Sequence, residues 1–131
     1  MASQNNQMNS LQTKGTGSGT ISLVEVDASE IRIHFEGKVD GFGRVFSTIR
    51  LQATDSQREL GSVEGNACIF APDHSLITSP VRGSFRRVGD TFHTTHTDAV
   101  SDGRMNIVRQ VHNLATKEVD IQWFSTFDTD S

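Results

Sequence analysis

A chain of 131 residues, 34% of them hydrophobic, has material for one core and none for a second domain. Its net charge of -4 argues against a dedicated nucleic-acid binder, which carries a basic balance, and its single cysteine, Cys68, excludes an internal disulfide. The N-terminus has neither a basic n-region nor an apolar h-region, and no apolar run approaches bilayer length, so the expectation is a soluble protein of the reducing cytoplasm with no membrane partner.

Residues 1–19, MASQNNQMNSLQTKGTGSG, are polar, rich in Gln, Asn, Ser and Gly, and almost free of bulky side chains. They bury too little apolar surface to offset ordering entropy, which predicts a disordered tail ahead of a folded domain over 20–127. From Thr20 onward the hydrophobic period is two. Ile31, Ile33 and Phe35 alternate with Arg32, His34 and Glu36, and Val119, Ile121 and Trp123 alternate with Asp120 and Gln122. Turn signals recur at Asp40-Gly41, Asp55-Ser56, Pro72-Asp73-His74, Gly89-Asp90, Asp102-Gly103 and Ala115-Thr116-Lys117. They delimit strands at about 20–27, 30–39, 43–53, 59–70, 75–87, 91–100, 104–113 and 118–127. No helical stripe exists beyond a single turn at 27–30, and the acidic residues 128–131 read as a second tail.

Strands joined by hairpins must hide their edges, and closure into an antiparallel up-and-down β-barrel of about eight strands does so. The alternative is a two-sheet β-sandwich. In strand count and turn rhythm the chain resembles the calycin-like and allene-oxide-cyclase-like barrels. That resemblance implies an architecture and no functional residue. A barrel of this size is just wide enough to hold one small ligand.

Several chemical motifs are absent. His93 and His96 are three apart on a strand, so they point to opposite faces and cannot share a metal ion. Gly37, Gly41 and Gly43 precede no helix and read as a hairpin rather than a phosphate loop. Ser79 and Ser84 lack the context of a hydrolase nucleophile, and Cys68 reads as a small buried thiol. The expectation is no metal and no cofactor. Five arginines between Arg82 and Arg109 lie close enough to form a basic patch, but Asp90, Asp98 and Asp102 dilute it, so no nucleic-acid partner is expected.

Turn chemistry predicts registers. A two-residue Asp102-Gly103 turn sets Asp98 opposite Ile107, His96 opposite Arg109 and Thr94 opposite Val111. A Gly89-Asp90 turn sets Phe85 opposite Thr94 and Arg86 opposite His93. At Asp40 a three-residue loop that includes Phe42 pairs Ile33 with Ile49 and Ile31 with Leu51, apolar with apolar, and is preferred over a two-residue turn. The face carrying Val81, Phe85, Phe92, Thr94, His96, Asp98, Val100, Met105, Ile107, Arg109 and Val111 holds most of the large apolar groups, so it is assigned inward with Trp123 beside Arg109. The mirror assignment makes a polar lumen of Arg86, His93, Gln110 and His112.

The inward row His96, Asp98 and Arg109 is the candidate site. Buried charges need partners or a ligand, and an apolar cavity with a few convergent polar groups is the usual form of a small-molecule site. One reading is a binding barrel for an apolar or amphipathic molecule, held by Arg109, Trp123, Phe85, Thr94, Met105, Ile107 and Val111. The other is a cofactor-free cyclase, isomerase or dehydratase in which His96 and Asp98 move protons and Arg109 holds an anionic or carbonyl group. The row also fits a purely structural ion pair. Nothing in the sequence opposes a homo-oligomer.

Overall fold

The computed structural model describes residues 13–99, 101, 103 and 105–125. They form eight strands: β1 (Thr13–Val26), β2 (Ile31–Val39), β3 (Gly43–Ala53), β4 (Leu60–Phe70), β5 (Leu76–Val88), β6 (Thr91–Ala99), β7 (Met105–Asn113) and β8 (Glu118–Ser125). Each pairs antiparallel with its sequence neighbours, and β1 pairs with β8, so the sheet is a closed up-and-down barrel and not a sandwich. Closure leaves no free edge, the liability that a meander of β-branched and aromatic residues otherwise carries. The described residues contain no helix, so none that is long and apolar enough to cross a membrane. The single turn expected at 27–30 is instead a bend in which the Asp27 carboxylate accepts from the backbone N–H groups of Ser29 and Glu30.

The first correction concerns the tail. Residues 1–12 of the expected disordered segment, and the acidic residues 128–131, lie outside the described residues, but 13–19 are the first half of β1. In Gly15-Thr16-Gly17-Ser18-Gly19 the alternation that matters is glycine inside and a polar side chain outside. A Cβ at Gly17 would lie 2.5 Å from the Lys38 carbonyl oxygen, and one at Gly15 would collide with the Trp123 indole. Glycine here is a close-approach residue between strands rather than a sign of disorder.

Two of the three register expectations match the structure. The β2–β3 loop takes three residues, 40–42, and pairs Ile33 with Ile49 and Ile31 with Leu51. The β5–β6 turn at Gly89-Asp90 pairs Phe85 with Thr94 and Arg86 with His93. The β6–β7 hairpin differs by one residue. Ala99 pairs with Met105, Asp98 with Asn106, His96 with Val108 and Thr94 with Gln110. A one-residue slip turns every side chain of β7 to the other face. The register comes from the opposite end of β7, where the Asn113 side chain accepts from the N–H groups of Ala115 and Thr116 and fixes a four-residue turn. That turn pairs Asn113 with Glu118 and Gln110 with Ile121, so the inward Val119, Ile121 and Trp123 dictate which residues of β7 face in.

The core runs through the barrel as one cluster that includes Ile33, Phe35, Ile49, Leu51, Val63, Phe85, Phe92 and Val119. Its two ends are built differently. At one, all four loops are tied: Arg58 donates to the carbonyls of Asp27 and Ala28, Arg87 to those of Gln57, Arg58 and Gly89, and the Leu114 N–H to Asp90. At the other, Phe42 folds inward from the β2–β3 loop and packs edge-on to Trp123 at 4.9 Å, and the Trp123 indole N–H donates to the Asp40 carbonyl.

Candidate functional site

The interior is not completely filled. Toward the end carrying Phe42 lies a cavity of about 50 Å³. One side is apolar, with Phe35, Phe42, Val45, Ile69 and Trp123; the other is the β6–β7 hairpin, contributing His96, Asp98, Asn106, Val108 and Gln110. The volume is enough for a few water molecules or a ligand headgroup, and far below the space that encloses a drug-sized molecule.

The strands explain why these side chains converge. On β6 the inward positions are Phe92, Thr94, His96 and Asp98; on β7 they are Asn106, Val108, Gln110 and His112. The slip therefore divides the sequence expectation. β6 presents the face assigned inward, whereas β7 presents the face assigned outward. Arg109 is exposed, opposite Thr95 on β6 and Gln122 on β8, because the β7 register places it outside. It is not beside Trp123, which lines the cavity opposite Val108. Met105 is 43% exposed, and Ile107 and Val111 are half-buried on the outer surface for the same reason. Phe85 and Thr94 point inward but lie in the packed part of the interior, away from the cavity. Cys68 is half-buried on the outer face of β4, opposite Phe46. The mirror lumen also splits: Gln110 and His112 are inside, Arg86 and His93 outside.

His96 and Asp98 do meet. The imidazole Nδ1 is 2.8 Å from the Asp98 carboxylate, and a carboxylate only accepts, so Nδ1 carries the proton and Nε2 is left over. His96 is 3% exposed, and its Nε2 has no partner among the described residues. Asn106, directly across from Asp98, is 2% exposed, and its Oδ1 is likewise unpartnered. Deeper in the barrel, His112 lies edge-on to Phe35 and pairs with Gln110, Nε2 to Oε1 at 2.8 Å. Burial, with a smaller contribution from the neighbouring His96 imidazole, pushes the His112 pKa down to about 3, so the ring is neutral. A neutral imidazole that donates through Nε2 has a bare acceptor at Nδ1, which is also unpartnered, as is the Thr94 hydroxyl.

Among the described residues, one hairpin thus carries four buried polar atoms without hydrogen bonds, three of them acceptors. Each unmet buried group costs about 1–3 kcal/mol, so the set works against stability. With Arg109 outside, no Lys or Arg among the described residues lines the cavity, and its only carboxylate is Asp98. The electrostatic preference of the interior is therefore the reverse of the one expected with an inward arginine. The preferred reading of the sequence missed Asn106 and Phe42 and turned Gln110 and His112 outward, where only the mirror assignment had them inside. The signal for the last two was Asn113, a turn-forming residue at the start of a loop whose far strand has an unambiguous inner face.

Among the described residues, no group of three or more His, Cys, Asp or Glu is placed to hold a metal ion. In comparisons with known proteins, no family model, no curated protein and no solved structure matches this chain.

Proposed function

We propose that the barrel is a binding module for a small amphipathic molecule whose hydrogen-bond-donor group enters the cavity between His96 and Asn106. The observation that carries this reading is the pair of buried, unpartnered acceptors on those two residues, facing an apolar wall across a small cavity. A hydroxyl or amino group would satisfy them. A carboxylate would meet only acceptors and the negative charge of Asp98. The apolar part of the ligand would lie against Phe42 and Trp123. The lone cysteine fits a reducing, cytoplasmic setting.

Trp123 is the only tryptophan in the chain and lines the cavity, so its fluorescence reports occupancy directly. Short primary alcohols and amines should shift its emission saturably, and carboxylates of equal chain length should not. Asn106→Leu should abolish the response with the barrel still folded. A response to carboxylates alone, or none across the series, rejects the reading.

A second reading rests on the His96–Asp98 pair. A carboxylate that fixes the Nδ1 proton leaves Nε2 as a general base beside a cavity, the geometry needed for proton abstraction in a cofactor-free isomerase, cyclase or dehydratase. In that case only the amides of Asn106 and Gln110 are left to stabilise developing negative charge. The readings separate with His96→Gln: a catalyst loses turnover and keeps binding, whereas a binding module loses affinity and has no turnover to lose.

A further inference from the structure

The outer surface of β5–β7 carries a second feature, independent of the interior. Side chains there stand in rows across the strands: Arg86 beside His93, and Ser84 beside Thr95 and Arg109. They line an open depression of about 550 Å³, bordered by Leu60 and Val88, which are 54% and 53% exposed.

The charges in it are unopposed. Elsewhere Arg32 pairs with Glu30, Arg50 with Glu64 and His34 with Glu25, while Arg58 and Arg87 are used up on backbone carbonyls. Among the described residues, Arg86, Arg109 and His93 have neither an ion pair nor a hydrogen bond. Asp98, the one acid on β6, is turned inward onto His96. A protein of net charge -4 thus gathers two free guanidinium groups, an imidazole and two outward hydroxyls in one hollow.

We propose that this depression binds a phosphate monoester of an organic alcohol. Arg109 stands at the β7 end of the Ser84–Thr95 row and Arg86 in the adjacent row on β5, two strands away, and both present planar forks of donors to a group held over the hollow. The hydroxyls supply donors from below and His93 from a third side. Donors from several directions suit a tetrahedral, doubly charged group better than a planar carboxylate. The exposed Leu60 and Val88 give the organic part an apolar shelf. A nucleic acid fits less well, because backbone binding needs a track of cations, and here Glu64 on β4 and Asp120 on β8 lie on either side of the patch.

Titration of the full chain with phenyl phosphate, followed by backbone amide shifts, tests the site. Saturable shifts are expected at Ser84, Arg86, His93, Thr95 and Arg109, with none from phenol. Arg86→Gln and Arg109→Gln should each weaken binding roughly tenfold or more at an unchanged melting temperature, and Arg44→Gln, on the outer face of β3, should not. Three results overturn the proposal: no saturable shift at these residues, equal binding by the two glutamine variants, or tighter binding of a ten-nucleotide single strand than of phenyl phosphate. The last would make the patch a nucleic-acid surface.

Discussion

The two walls of the barrel interior are built on opposite principles. The wall from β2 to β4 presents Ile33, Phe35, Val45, Ile49, Leu51, Val63 and Ile69, with Ser47 as its one fully buried polar side chain. The wall from β6 and β7 presents Thr94, His96, Asp98, Asn106, Gln110 and His112, broken only by Phe92 and Val108. Both face the same small interior, and the first shows that apolar residues fill it well. The second is therefore not a requirement of the fold. Burying polar atoms without partners lowers stability, and proteins keep such arrangements mainly where they serve a site. One wall is built for folding, and the other is the wall on which the proposed site rests.

The largest expected effect is on the polar wall and comes from acid. The His112 pKa falls from 6.5 in the unfolded chain to about 3 in the barrel. Between those values the unfolded state binds more protons than the folded one, so stability falls as pH falls. The contribution is complete above pH 6.5 and is lost progressively toward pH 3. Between pH 7 and pH 4 the loss is roughly 3 kcal/mol, a large share of what a small domain possesses. Asp27, Asp55 and Asp73 have pKa values lowered from 3.8, most by hydrogen bonds to Ser29, Leu60 and Ser75 respectively, so their contribution begins to be lost only as the pH nears that value, at the acid edge of the window. Denaturant titrations at pH 7 and pH 4 measure the slope, and His112→Gln should flatten it. A variant that keeps the wild-type slope moves the acid response away from this wall.

A smaller effect asks whether the polar wall is there for stability at all. His112→Leu alone leaves the Gln110 Oε1 without its donor and should cost roughly 1–3 kcal/mol. Adding Gln110→Leu removes the stranded acceptor, and the double variant should return to within about 1 kcal/mol of the parent. Thermal melts of the two proteins decide it. If the losses instead add, the Gln110–His112 pair is structural and the contrast between the walls is one of composition only.

How much of this was legible follows the same division. The apolar wall reads directly, because Ile31 and Ile33 can match Leu51 and Ile49 in only one register, and that match overrides the Asp-Gly signal at Asp40. The polar wall does not. Asp102-Gly103 is a strong local hairpin signal, and following it placed Met105, Ile107, Arg109 and Val111 inside, the more hydrophobic choice. In a closed barrel each strand answers to both neighbours, and β8 has the decisive pattern. The polar lining of β7 therefore looks like an outer face when read alone. The glycines of β1 were misread for a related reason: composition counts them as disorder, whereas their alternation marks the inner side of a strand pressed against Val39 and Trp123.

The smallest expected effect is the sharpest test of the boundary between inside and outside. Val108 and Arg109 are adjacent on β7, and the observed register buries the first to 6% exposure and leaves the second in solvent. Arg109→Met should therefore change stability by less than about 0.5 kcal/mol, as surface substitutions without partners do. Val108→Ala, next to it, removes buried methyl groups from the cavity wall and should cost roughly 1–3 kcal/mol. Had Arg109 been inside beside Asp98, its replacement would leave a buried carboxylate short of a partner at about 3–5 kcal/mol, and Val108 would be the indifferent position. The ordering of the two melting temperatures thus reads the register of the β6–β7 hairpin. A reversed order would return Arg109 to the interior, restore a preference for anionic ligands there, and remove the arginine on which the outer phosphate site depends.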